Sequence, residues 1–156
     1  MTASGEVFFG IDTAKVGNAV AVAEGGREGE VRYLGEFDNT PEAVIKLMRK
    51  LAERYKTLHI CYEAGPTGYG LYRQILALGH DCTVVAPSLI PCRPGERVKT
   101  NRRDALSLAR LLRAGELTAV RVPDETHEAI RDLVLLCHKS IGGARLLTSA
   151  VQQGHR

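Results

Sequence analysis

With 156 residues, 44% of them hydrophobic and 25% charged, the chain has the composition of one folded domain and not of a disordered or fibrous polymer. No apolar run is long enough to span a bilayer, and Met1 to Glu6 lacks the basic-then-apolar pattern of a secretory leader, so the cytoplasm is the expected location. The net charge of +3 singles out no partner, and the four cysteines (Cys61, Cys82, Cys92, Cys137) form no C-x-x-C pair that would signal structural zinc.

Val7 to Ile11 is rich in β-formers and reads as a first strand that runs out on Asp12. Gly17-Asn18 is a turn signal, and Asn18 to Ala23 reads as the second strand. After the loop Glu24 to Glu30 comes a third strand, Val31 to Phe37, whose spacing puts Val31, Tyr33 and Phe37 on one face. Thr40-Pro41-Glu42 starts a helix that runs to about Tyr55, with Thr40 as cap and Pro41 in the first turn. A fourth strand, Thr57 to Tyr62, ends on Glu63. The turn Ala64 to Gly68 leads into a helix over Tyr69 to Leu78, which Gly79 ends. Cys82 to Ala86 is the fifth strand, and Cys61 and Cys82 read as small core residues within their strands. Pro87 to Lys99 reads as an exposed loop, and Arg102 to Ala114 as a helix stopped by Gly115. A last helix begins near Pro123-Asp124, and its spacing predicts burial of Ile130, Leu133, Val134 and Cys137. Past Lys139 amphipathic order is lost, so residues 140–156 read as an irregular tail behind a domain of residues 1–139.

A three-strand meander followed by two β-α crossovers defines an α/β fold of ribonuclease-H-like type. Right-handed crossovers predict a mixed five-stranded sheet of order 3-2-1-4-5, flanked by helices. Strand 1 is then central and strand 4 its parallel neighbour. Asp12 and Glu63 lie side by side at the carboxyl edge, where open α/β sheets gather ligands. Two carboxylates so close raise each other's pKa unless a cation shares them. Magnesium or manganese, which prefer oxygen ligands and keep waters, suit such a site. Two ions about 4 Å apart activate one oxygen and stabilise another during phosphodiester attack.

Asp104 is the third acid, if its helix packs across the strand ends. Asn101, three residues earlier, shares its face and is either an uncharged ligand or part of a capping box with Asp104. Around them Arg93, Arg97, Lys99, Arg102, Arg103, Arg110 and Arg113 outnumber Glu96 and Asp104, a balance that suits a phosphate backbone or a solvated helix face. No serine has a recognisable nucleophile setting. His59 and His80 flank strands and read as structural or exposed.

The segments Phe9-Gly10-Ile11-Asp12-Thr13-Ala14-Lys15, Tyr62-Glu63-Ala64-Gly65-Pro66-Thr67-Gly68 and Lys99-Thr100-Asn101-Arg102-Arg103-Asp104-Ala105 resemble motifs of the DEDD transposases of bacterial insertion sequences. These recombinases have an N-terminal RuvC-like domain and are related to Piv-type invertases. The resemblance spans about Val7 to Leu136. It implies an N-terminal catalytic domain for magnesium- or manganese-dependent DNA cleavage and exchange, a structured bridge RNA as guide, and assembly into dimers or tetramers. Carried over by position, it gives Asp12, Glu63 and Asp104 as catalytic residues and metal ligands, Asn101 as a further ligand position, and Lys15, Lys99, Arg102 and Arg103 as nucleic-acid contacts. The family pattern has Asp where this chain has Asn101, and it continues into a second domain with a nucleophilic serine. Both departures imply impaired catalysis.

The alternative is a catalytically silent DNA- or RNA-binding remnant that keeps the fold and the basic face. A third reading, an actin-like kinase or ATPase fragment, rests on Gly10-Ile11-Asp12-Thr13 resembling that fold's first phosphate loop. It would require a second lobe and a second phosphate loop.

Overall fold

The computed structural model describes residues 4–14, 17–65, 68–91 and 100–137. They fall in two compact units, Met1–Arg121 and Val122–Arg156. The first contains five strands, β1 (Ser4–Thr13), β2 (Gly17–Glu24), β3 (Val31–Asp38), β4 (Tyr55–Glu63) and β5 (Asp81–Val85). It also contains three α-helices, α1 (Pro41–Arg54), α2 (Gly70–Ala77) and α3 (Asn101–Ala114). The strands form one sheet of order β3-β2-β1-β4-β5, the ribonuclease-H-like order expected from the crossovers. β1 pairs antiparallel with β2 and parallel with β4, and β4 continues parallel to β5.

Side-chain alternation gives the sheet two apolar faces. Val7, Phe9 and Ile11 share one face with Val20, Val22, Ile60, Tyr62 and Val84, all essentially inaccessible. Val44, Leu47, Met48 and Leu51 of α1 and Ile75 of α2 complete this layer. The opposite face is lined with small residues. Ala19, Ala21 and Ala23 of β2 pack with Ala105 and Ala109 of α3, and Phe8 closes the cluster.

Local chemistry accounts for most element ends. Thr40 caps α1 by accepting from Ala43 N at 3.3 Å, with Pro41 in the first turn. Tyr55, expected to end that helix, instead opens β4, and its ring meets the Phe9 ring edge-on at 6.0 Å. Gly79 (φ 83°) and Gly115 (φ 70°) end α2 and α3 in the left-handed region, where a Cβ would be strained. The first reversal closes one step before its expected place. Ala14 N–H donates to Gly17 O at 3.1 Å, and Asn18 already pairs with Thr13 inside β2.

Two expectations need correction. Val31 and Tyr33 pack on the alanine face, but Phe37 does not share it. Between Val20 and Ala21 the β3 partner jumps from Gly35 to Tyr33, a bulge that leaves Leu34 as the extra residue. The inserted residue reverses the alternation, so Phe37, opposite Asn18, faces the α1 side. The second unit contains a helix over residues 125–137, but Ile130, Leu133 and Val134 are about half exposed (49–62%) and Cys137 is exposed. The spacing defines an apolar stripe correctly, yet a stripe is buried only against a partner surface. A single helix, all that is described of residues 122–137, cannot supply one to itself. Among the described residues no helix is long and apolar enough to cross a membrane.

Candidate functional site

Asp12 is the penultimate residue of β1 and points, like Phe8 and Gly10, to the α3 face. The last β1–β4 pair is Ile11 with Tyr62. One step further along this parallel register, Asp12 stands beside Glu63, the last residue of β4. Glu63 shares the α3 face with Cys61, whose thiol donates to Leu108 O at 3.7 Å. The edge below Glu63 is fixed by its pairing with Val85 and by Ala64 N–H donating to Val85 O at 2.7 Å. Both carboxylate residues are half-buried.

The helix above runs antiparallel to β1. At its C-terminal end Arg113 Nη1 donates to Glu24 O (3.1 Å) and Gly29 O (2.7 Å), beside the start of β1. Gly10 lies beneath Ala105 and Ala109. Asp12 is about 6.6 Å beyond Gly10 along the strand, which corresponds to about four residues back along the helix. The first turn of α3, carrying Asn101 and Asp104, therefore overhangs the strand ends. Asp104 is half-buried and Asn101 exposed.

Thr100, not Asn101, caps this helix. Its backbone is extended (φ −139°, ψ 141°), its hydroxyl accepts from Arg103 N at 3.3 Å, and its carbonyl accepts from Asp104 N at 3.0 Å. The capping-box reading of Asn101 and Asp104 is thus overturned, because Asn101 already has helical backbone and neither side chain is needed at the cap. The three acids share one edge of the fold but do not form one ligand set. Among the described residues no group of three or more His, Cys, Asp or Glu side chains could hold a metal ion. Asp12 and Glu63, adjacent by strand register, are two oxygen donors of the kind a divalent cation keeping most of its waters takes.

The basic segment divides. Arg113 is committed to backbone carbonyls, and the Arg102 guanidinium lies 5.3 Å over the Tyr33 ring. Burial and the nearby Glu36 raise the Tyr33 hydroxyl's pKa, opposed by Arg102. Arg103 is exposed beside the site. Lys15, Lys99, Arg93 and Arg97 lie outside the described residues.

Some positioning groups had no signal in the sequence. Asn18, 3% exposed, donates to Asn39 Oδ1 (3.4 Å), and Asn39 donates to Ala14 O (3.2 Å), holding the chain just after Asp12. Thr13, Asn39, Thr40, Pro41, Val44, Gly70, Leu71 and Gln74 line a cleft of about 450 Å³ on the other face of the same edge. His59 is structural, as expected. It bridges Glu6 (2.7 Å) and Asp81 (3.3 Å) and stacks on Phe8 with ring centroids 5.1 Å apart.

Several known proteins are similar to this chain. Among solved structures it resembles Thermus thermophilus RuvC (TM-score 0.45, 14% identity, 73% of this chain and 99% of that one). It also resembles the large terminase nuclease of phage G20c (TM-score 0.42, 17% identity, 70% and 55%). In sequence it is 65% identical over 129 residues to y4qE of Sinorhizobium fredii (strain NBRC 101917 / NGR234), a protein named as a transposase, covering 83% of this chain and 33% of that one. It is 34% identical over 128 residues to the transposase for insertion sequence element IS1533 of Leptospira borgpetersenii, covering 81% and 37%. The chain thus spans about a third of the length of these relatives. A family model described as a transposase, that of the DEDD transposases of the IS110 group, matches residues 9–142. The chain belongs to the DEDD transposase family of IS110-type insertion sequences.

Proposed function

We propose that this chain is the N-terminal catalytic domain of an insertion-sequence transposase, acting on DNA with a divalent metal, magnesium or manganese. The observation that carries the reading is the adjacency of Asp12 and Glu63 at the ends of β1 and β4, beneath the first turn of α3. A cation bound there supplies charge for activating an attacking oxygen and stabilising a leaving one on phosphate. Asp12 and Glu63 are its primary ligands and Asp104 the third acid. Asn101, uncharged and on the same turn, provides a weaker ligand position than the Asp it replaces. Arg102 and Arg103, with Lys15 and Lys99, neutralise the phosphate backbone. A structured guide RNA and a homo-oligomeric assembly are the further partners that the family resemblance implies.

Calorimetric titration of Mn²⁺ into the purified chain tests the metal site. Binding is expected, with loss in Asp12→Ala and gain in Asn101→Asp. Heat that persists unchanged in Asp12→Ala removes the metal from β1. No heat with the unmutated chain favours the second reading, a catalytically silent nucleic-acid-binding domain. That reading draws support from the uncharged Asn101 and from the lack, among the described residues, of a group of three acids able to hold a metal ion.

Nucleic-acid binding has its own test. Changing Lys99, Arg102 and Arg103 together to Ala is expected to weaken duplex binding and to lower the salt slope by about 0.9 for each phosphate that is no longer neutralised. An unchanged slope would assign the phosphate-binding residues elsewhere.

A further inference from the structure

Arg102 stands in the first turn of α3, where the positive end of the helix dipole disfavours a further cation. Its guanidinium lies 5.3 Å over the Tyr33 ring. Among the described residues no carboxylate pairs with it and no carbonyl accepts from it. Arg113, at the other end of the same helix, is the contrast. Its Nη1 donates to Glu24 O and Gly29 O and fastens that end to the loop after β2. A cation set against the dipole and left without an acid adds little to stability, so its role lies in what it can still bind.

Stacking explains how Arg102 is held in place with its donors free. A ring attracts a guanidinium through the ring face, whereas the N–H donors lie in the guanidinium plane. The donors stay available at the rim, as a fork that matches two oxygens of a phosphate. Both halves of the pair are firmly based. Half-buried Tyr33 packs against the buried alanine cluster of β2 and α3, and α3 rests on β1 with Gly10 beneath Ala105 and Ala109. By register Tyr33 pairs with Ala21, which pairs with Gly10, so the Tyr33–Arg102 pair flanks the end of β1 from the β3 side. Glu36, opposite Ala19, is exposed, and its charge acts on the Tyr33 hydroxyl.

We propose that Tyr33 and Arg102 form a phosphodiester-binding site, Tyr33 being the positioning residue that holds the Arg102 fork open for one backbone phosphate. The inference rests on the nucleic-acid reading given above and deepens it, and it requires no metal. Tyr33 acts through Arg102. The fork recognises phosphate and not a base, so DNA and RNA backbones share the chemistry and the test separates them.

The test measures the affinity of a short DNA duplex and of a short RNA duplex across a salt series. The proteins are the unmutated chain, Tyr33→Phe, Tyr33→Leu, Arg102→Ala, the double variant Tyr33→Leu with Arg102→Ala, and Glu36→Gln. Tyr33→Leu is expected to weaken binding about two- to fivefold, the worth of an exposed cation–π pair. Tyr33→Phe, which keeps the ring, should bind like the unmutated chain. Arg102→Ala should lower the salt slope by about 0.9, the loss of one phosphate contact. Tyr33→Leu should add nothing once Arg102 is Ala, because both residues serve one contact. Glu36→Gln, which removes a neighbouring negative charge, should tighten binding. The arm in which these effects occur names the backbone held. Undiminished affinity of folded Tyr33→Leu in both arms overturns the proposal, and so do losses that simply add in the double variant. If Tyr33→Leu does not fold, Arg102→Lys decides: it keeps the charge without the planar fork, and undiminished affinity there overturns the proposal equally. Salt-dependent binding indifferent to every variant overturns this inference alone. No binding of either duplex to the unmutated chain overturns the nucleic-acid reading and the inference with it.

Discussion

Cys61 and Cys82 sit inside β4 and β5, and burial pushes both thiols up, Cys82 to about 12 with help from the nearby Asp81 carboxylate. Neither is a thiolate near neutral pH, so neither is a nucleophile there. A thiol held protonated by the fold while the unfolded chain ionises near 9.0 contributes stability that is complete below that pH. It is lost as pH rises through the folded value. Stability is therefore expected to fall between about pH 9 and pH 12, and Cys82→Ala should remove part of that slope in urea melts recorded across the range. A disulfide reagent at pH 8 should modify exposed Cys137 in the native protein but reach Cys61 and Cys82 only after unfolding. The core role of both buried cysteines was legible from their strand context. The role of Asn101 was not. Thr, Asn and a following acid all favour a helix start, so composition alone could not say which residue takes the cap, and Thr100 does.

At the scale of elements, α3 and the helix over residues 125–137 show what periodicity can and cannot say. Both have apolar residues at helical spacing, and both are helical. In α3 the stripe is buried, with Leu108 2% exposed between Cys61 and Val85. In the other helix Leu133 is 62% exposed. Periodicity reports which side of a helix is apolar, whereas burial depends on a second surface that the helix's own residues do not encode. Leu108→Ala is expected to cost about 2–5 kcal/mol, whereas Ile130→Ala should stay within about 0.5 kcal/mol. Denaturant midpoints of the two variants check this. Equal costs would mean that the exposed stripe is covered in solution. The β3 bulge escaped the sequence reading for a similar reason. Val31, Tyr33 and Phe37 obey alternation on paper, and only the pairing with β2, with Gly35 at φ 119°, shows where one residue is inserted.

For the whole molecule, strand order followed from a few strong signals: a meander, two crossovers and the fixed hand of β-α-β connections. These brought Asp12 and Glu63 together without any knowledge of side-chain packing. The same reasoning placed Asp104 on a helix above that edge, whereas the height of a helix over a sheet is set by packing detail such as the alanine seam under α3, which no sequence pattern reports. The Asn18–Asn39–Ala14 chain was equally illegible, since Asn39 lies more than twenty residues from both partners and the turn signal at Gly17-Asn18 says nothing of a long-range bond.

The parallel pairing of β1 with β4 has a consequence for synthesis. β1 precedes β4 in the chain, and Ser4 finds its β4 partner only at Tyr55. Its other edge is satisfied by the adjacent β2 within a short hairpin. A nascent chain can therefore close the β1–β2–β3 meander early, while the second edge of β1 stays open until α1 and β4 have left the ribosome. During that interval a strand carrying Val7, Phe8, Phe9 and Ile11 offers an unpaired ladder to any neighbour. The order in which the two edges of β1 are covered is thus set by the chain itself, the β2 edge first and the β4 edge only after α1.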